Sequence, residues 1–178
     1  MIMRPSYRYF TLKEHADLFV SGNIRFLRTK IYRSLLDPNR QDEGELLYRT
    51  MFNHIETSKE IGNSVYSLST SLILSEELKE RFGHFVVRIN DVFNFGECLN
   101  ASVLQSGMSI FKKVLSSDIN YYSSESTPNL DFEQRLFAKL DWFAGEREYR
   151  YIFIPKNDLI DDEILLKVRI PPKLLECI

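Results

Sequence analysis

A chain of 178 residues with 44% hydrophobic content is long enough to bury a core of its own, and it reads as a single domain spanning residues 1–178. A formal net charge of -2 gives no overall attraction for nucleic acid, so only a local basic patch could serve such a partner. The opening MIMRPSYRYF lacks a signal-peptide core, no apolar run reaches membrane-span length, and Cys98, Cys177, His15, His54 and His84 are scattered; we expect a cytoplasmic protein with no membrane partner and no metal site.

Ser6 to Phe10, SYRYF, reads as a first strand with Arg8 at its centre. An arginine there is either a solvated edge residue or a clamp whose paired donors suit phosphate or carboxylate. Thr11-Leu-Lys-Glu14 has the form of a capping box, with Leu12, Ala16, Phe19 and Val20 on one helical face and Gly22 as the stop. Asn23 to Leu27 follows as a strand that puts Ile24 and Phe26 on one side. The segment LLDPNRQDEGELL is polar and punctuated by Pro38 and Gly44, which predicts a loop. It is either a solvated connection or a site rim, and Arg40 and Asp42 are its candidate contacts. Leu46, Leu47, Met51 and Phe52 predict a short helix within Glu45 to Lys59.

Ser64 to Ser71 predicts a strand with Val65, Ser67, Ser69 and Ser71 on one face and Tyr66 and Leu68 turned to the core. The closing Ser69-Thr70-Ser71 offers hydroxyls that either satisfy nearby backbone or orient a carboxylate on a neighbouring strand. Ser75 onward looks helical, and His84 to Ile89 reads as a buried strand. Asn100 to Leu115 fits helix or strand. Asp118 to Tyr122 predicts a strand, SSESTPN a turn, and Phe132, Leu136 and Leu140 a helical stripe with Glu133 and Lys139 opposite. Tyr149 to Ile154 and Leu165 to Ile170 complete the strands. No repeat or linker is apparent. The mixture predicts an α+β fold with mixed, mostly antiparallel sheets and a few helices.

Between the last helix and Tyr149 lies WFAGERE, with Glu146 and Glu148 flanking Arg147. In an extended chain these carboxylates share a face about 6 to 7 Å apart, and Arg147 points away. Two such groups can divide labour, one steadying positive charge and the other accepting a proton. The plain alternative is a charged strand end.

In order, then, the chain carries Arg8 within SYRYF, Ser69-Thr70-Ser71 closing a strand, and Glu146-x-Glu148 heading another. This series resembles the arginine, Ser-Thr-Ser, Glu-x-Glu pattern of the ADP-ribosyltransferases of bacterial toxins and vertebrate ectoenzymes. The tail K…W…GEREYR is similar to that of an uncharacterised bacterial family that opens on a YRY-like strand. The resemblance implies an ADP-ribosyltransferase-like fold and NAD as substrate, with a macromolecular acceptor, protein in preference to nucleic acid. It implies that Arg8 binds NAD phosphate or ribose beside Tyr9, and that Ser69, Thr70 and Ser71 shape the nicotinamide-ribose pocket. Glu148 would stabilise an oxocarbenium-like transition state, Glu146 would activate the acceptor, and Phe143 would touch the target. Glu-x-Glu rather than Gln-x-Glu implies an arginine acceptor. Two departures stand out: Tyr9 occupies a position where many members have glycine, and an insertion covers residues 90 to 130. NAD glycohydrolysis and a non-catalytic binding or inhibitor module on the same framework are the competing readings.

Overall fold

The computed structural model describes residues 3–28, 47–52, 55–60, 65–105, 111–123, 130–156 and 161–178. Its elements, in order, are β1 (Ser6–Phe10), α1 (Lys13–Val20), β2 (Asn23–Arg28), β3 (Leu47–Phe52), β4 (Ile55–Glu60) and β5 (Tyr66–Ser71). Next come α2 (Glu76–Phe82), β6 (Phe85–Ile89), α3 (Val92–Gln105), β7 (Phe111–Asp118), β8 (Asn120–Tyr122), α4 (Phe132–Leu136) and β9 (Ala138–Leu140). A 3-10 turn (Asp141–Glu146) leads into β10 (Glu148–Pro155), followed by β11 (Glu163–Lys167) and β12 (Leu175–Cys177). The fold is α+β, and every pairing in its main sheet is antiparallel.

Eight strands join in that sheet, in the order β11-β2-β5-β1-β6-β12, with β10 added to β5 and β7 added to β10. Alternation along β10 sends Tyr149, Tyr151 and Phe153 into the larger core, where they meet Phe95 and Leu99 of α3, Phe26 of β2 and Leu68 of β5. Burying one such aromatic side chain is worth about 1.5–3 kcal/mol, so this stripe is what fixes β10 in the middle of the sheet. The other face of β10 carries Glu148, Arg150 and Ile152, opposite Ser71, Ser69 and Ser67 of β5. A smaller cluster of Val65, Ile119, Leu136, Phe137 and Ile152 covers part of that face.

β5 is where the sheet divides. One edge pairs with β10 over six positions. The other edge pairs with β2 at Ser67 and Tyr66, and with β1 only at Ser71. Among the described residues no strand pairs with Leu68, Ser69 or Thr70 on that second edge. The main chain there must find another partner, since a buried carbonyl left unpaired is costly.

Three expectations need correction. Leu47–Phe52 and Ile55–Glu60 pair as antiparallel strands, and neither is helical. Tyr48, Thr50, Phe52, Ile55 and Thr57 are β-branched or aromatic, and that preference outweighs the helical spacing of Leu47 and Met51. The capping box at Thr11 does not form: the N-cap is Leu12 and has no side-chain bond. A capping box does form further on, where Asp131 accepts from the Gln134 N–H and the Gln134 side chain accepts from the Asp131 N–H. Finally, the stripe through Phe132, Leu136 and Leu140 is not one helix. The helix stops at Leu136, and Lys139 lies in β9, which pairs in parallel with β8. Gly22 does end the α1 region, with φ +84° and no room for a Cβ beside the Val168 carbonyl.

Candidate active site

The gap on the second edge of β5 is filled by a side chain. Arg8 Nη1 donates to the Ser69 carbonyl oxygen, which no strand takes up. Ser69 Oγ in turn donates to Glu148 Oε1 on the next strand. Three residues that lie far apart in sequence are thus linked by two successive hydrogen bonds across β1, β5 and β10. Arg8 Nε is buried and has no hydrogen-bond partner among the described residues.

Glu148 is only 5% exposed, and a carboxylate so far from water persists as an anion only if paired. Arg150 Nε donates to the same Oε1 at 2.7 Å, and Lys139 Nζ lies 3.4 Å from Oε2. Burial alone would raise the Glu148 carboxyl. The Arg150 guanidinium and the Lys139 ammonium outweigh it, with hydrogen bonds from Arg150 and Ser69, and bring the pKa down to about 2. At neutral pH Glu148 is therefore a fixed negative charge and a poor proton acceptor. The Glu148 main-chain N–H donates to the Tyr121 hydroxyl at 2.8 Å, which pins the start of the strand.

Glu146 and Glu148 do converge, though not by strand alternation. Glu146 ends the 3-10 turn, and Arg147 adopts a left-handed backbone, φ 43° and ψ 56°. That turn of the chain brings both carboxylates to Lys139, whose Nζ is 2.9 Å from Glu146 Oε2. Arg81 Nη2 of α2 reaches Glu146 Oε1 at 3.0 Å. Phe143 lies against the same lysine, with Nζ 4.4 Å from the ring centre, while Trp142 is 66% exposed beside it. Ser71 Oγ donates to the Glu146 carbonyl at 2.7 Å and so ties the turn to β5.

Ser69, Ser71, Phe143, Glu146 and Glu148 thus form one neighbourhood, and Arg8, whose strand partner Val87 belongs to the larger core, joins it only through the Ser69 carbonyl. Tyr9 and Thr70 face elsewhere. The Tyr9 hydroxyl donates to the Ile73 carbonyl at 2.9 Å and accepts from the Ser75 N–H, within a cluster that includes Leu78 and Val86. Thr70 Oγ1 donates to the Tyr149 carbonyl. Alternation turns Thr70 to the face of Tyr149 and Leu68, away from Glu148, while Tyr9 is spent on the main chain of residues 73 and 75. Arg40 and Asp42 lie outside the described residues.

Four contributors carried no assigned role in the sequence reading: Arg150, Lys139, Arg81 and Tyr121. Arg150 was the readable one, since two residues beyond Glu148 on a strand means the same face. Lys139 and Arg150 also belong to the tail pattern K…W…GEREYR. Nothing local to Arg81 or Tyr121 pointed at the site. A shallow cleft of about 120 Å³ lined by Phe93, Glu97, Asn100, Val114 and Ser116 lies elsewhere, between α3 and β7. Ser116 and Val114 pair with Tyr151 and Phe153, so that cleft is on the other side of β10 from the carboxylates.

Comparison of the chain with models of protein families, with curated proteins and with solved structures gives no match. The functional reading therefore stands on the site's own chemistry and on the motif resemblance.

Proposed function

We propose that the protein is an NAD-dependent mono-ADP-ribosyltransferase with an ADP-ribosyltransferase-like fold, acting in the cytoplasm on a macromolecular acceptor. The observation that carries this reading is the chain of bonds from Arg8 through Ser69 to Glu148. In the family whose motifs the sequence resembles, these positions hold NAD, orient the carboxylate and stabilise the transition state. Breaking the ribosyl–nicotinamide bond builds positive charge on the sugar, as glycoside cleavage does. A permanently ionised carboxylate fixed before the reaction begins lowers the energy of that charge without having to reorganise. Glu148 has the ionisation state the task needs. Arg8 is the arginine that the resemblance assigns to the NAD phosphate or ribose, and a guanidinium there would hold the dinucleotide in register.

The competing reading is a non-catalytic module on the same framework. It is favoured by the near-complete burial of Glu148 and by Lys139 bridging both acids, as a purely structural ion-pair network would. One experiment separates the two. Purified protein is mixed with NAD labelled in its adenylate half, with and without cell lysate, and nicotinamide release is followed. Release that disappears in Glu148→Gln, with the variant still folded, supports transfer. No release and no labelled macromolecule in any of several lysates refutes it. Free ADP-ribose without a labelled macromolecule assigns the glycohydrolase branch.

A further inference from the structure

The resemblance implies an arginine acceptor activated by Glu146. We infer that the site instead excludes cationic acceptors and transfers to a neutral hydroxyl, with Arg81 and Lys139 as the residues that set this specificity. The inference rests on the ADP-ribosyl-transfer reading and concerns only the acceptor.

A guanidinium binds a carboxylate best as a fork, with two parallel bonds to the two oxygens. Both oxygens of Glu146 are already engaged. Arg81 Nη2 stands 3.0 Å from Oε1, and Lys139 Nζ stands 2.9 Å from Oε2. The two cations come from separate elements, α2 and β9, so the carboxylate is held from two directions. Glu146 is also buried, at 8% exposed, which leaves little surface for a third partner. An incoming guanidinium would have to displace a like charge that is already in position, and like-charge juxtaposition opposes binding.

The reaction itself sorts acceptors the same way. The bond from C1′ to the nicotinamide nitrogen breaks, and its electron pair leaves with nicotinamide, which becomes neutral. A guanidinium must shed a proton before it can attack, and it holds that proton up to a pKa above about 12. That demands a free base. A hydroxyl oxygen can bond to the oxocarbenium carbon while still protonated. The resulting oxonium then gives its proton to water, so no carboxylate has to be released from its ion pairs. Water and a macromolecular hydroxyl share this chemistry.

The test uses the intact protein with agmatine as the guanidinium probe and methanol as the hydroxyl probe. Trp142, the single tryptophan of the chain, packs 6.3 Å from Phe143 and reports binding by fluorescence. Wild type is expected to show no saturable response to agmatine. Arg81→Gln and Lys139→Gln are expected to gain one at least roughly tenfold stronger, the scale of one charge-assisted hydrogen bond. Arg81 is the more exposed of the two, so Arg81→Gln keeps the test if Lys139→Gln fails to fold. With NAD present, wild type should yield methyl ADP-ribose in methanol and free ADP-ribose in buffer, with no agmatine adduct. Labelled macromolecule in lysate, absent from buffer, marks a macromolecular hydroxyl as the source. Saturable agmatine binding or an agmatine adduct from wild type overturns the inference while leaving ADP-ribosyl transfer standing. A protein that releases no nicotinamide in any condition sinks the parent reading, and this one with it.

Discussion

Arg150 Nε donates to Glu148 Oε1 at 2.7 Å, and Arg150, at 0% exposed, is the largest fully buried side chain among the described residues. The two lie on one face of β10, and Arg150 Nη1 also donates to the Leu136 carbonyl at 3.1 Å. One guanidinium therefore joins the acid to the end of α4. Arg150→Met should destabilise the fold by about 3–5 kcal/mol, because it strips a buried carboxylate of its nearest cation. Arg150→Lys should rescue little, since an ammonium lacks the planar fork that reaches both acceptors. Urea denaturation measures both. An unchanged midpoint in Arg150→Met would show that the pair contributes nothing to stability.

Glu148 also makes a prediction about pH. Its carboxyl is held at about 2 in the folded protein, against 4.5 in the absence of the fold. A lowered native pKa contributes stability that is fully present above the unfolded value. That stability is lost as pH falls from about 4.5 toward about 2. The shift corresponds to something on the order of 3 kcal/mol at neutral pH. Wild type should therefore lose stability steeply as pH falls from 4.5 to about 2, the window set by these two values. Glu148→Gln should start lower and show a shallower slope, since it has no proton to take up. Parallel slopes for the two proteins across that window would show that Glu148 is not the group responsible.

The elements that were legible in the sequence are those whose period and burial agree. Ile24 and Phe26 alternate with Asn23 and Arg25 and are buried. Tyr149, Tyr151 and Phe153 recur at every second position and share the larger core, and the serines of β5 take the opposite face from Tyr66 and Leu68. What could not be read was anything fixed by a non-local partner. Lys139 follows a helical stripe in sequence, yet β8 draws it into a strand. The convergence of Glu146 and Glu148 depends on a left-handed Arg147, a conformation that an arginine does not advertise. The Arg8–Ser69 bond exists because β1 and β2 leave part of one edge of β5 unpaired, which no stretch of sequence shows by itself.

Ser69 gives a prediction that separates positioning from folding. Its hydroxyl donates to Glu148 Oε1, beside the bond from Arg150. Ser69→Ala removes a hydrogen bond to a charged group, worth about 1.5–3 kcal/mol. Arg150 and Lys139 still neutralise the acid, so the protein should stay folded. If Glu148 acts on a ribosyl cation, nicotinamide release should fall roughly 10- to 100-fold, with most of the loss in kcat. Ser69→Thr keeps a hydroxyl on a half-buried strand position and should recover part of it. A Ser69→Ala variant that is as active as wild type would remove the serine from the mechanism.

Gly83 closes α2, the helix that brings Arg81 to Glu146, and its position depends on having no side chain. Its φ is +127°, and a Cβ there would lie 2.2 Å from the carbonyl carbon and oxygen of Phe10. Two costs then coincide: a backbone region that L-residues avoid and a collision with main chain that cannot rotate away. The collision falls at the end of β1, two residues past Arg8, so relief requires α2 and β1 to separate. Gly83→Ala should cost at least about 2–3 kcal/mol, which in a chain of this size lowers Tm by roughly 5–10 °C. Gly145 is the matched control. It lies in the turn beside Glu146, yet a Cβ there meets nothing within 4 Å and its φ is not in the left-handed region. Gly145→Ala should leave stability within about 0.5 kcal/mol of wild type. Thermal melts of the two variants side by side decide the matter: equal Tm values would mean that α2 is not held against β1 through Gly83.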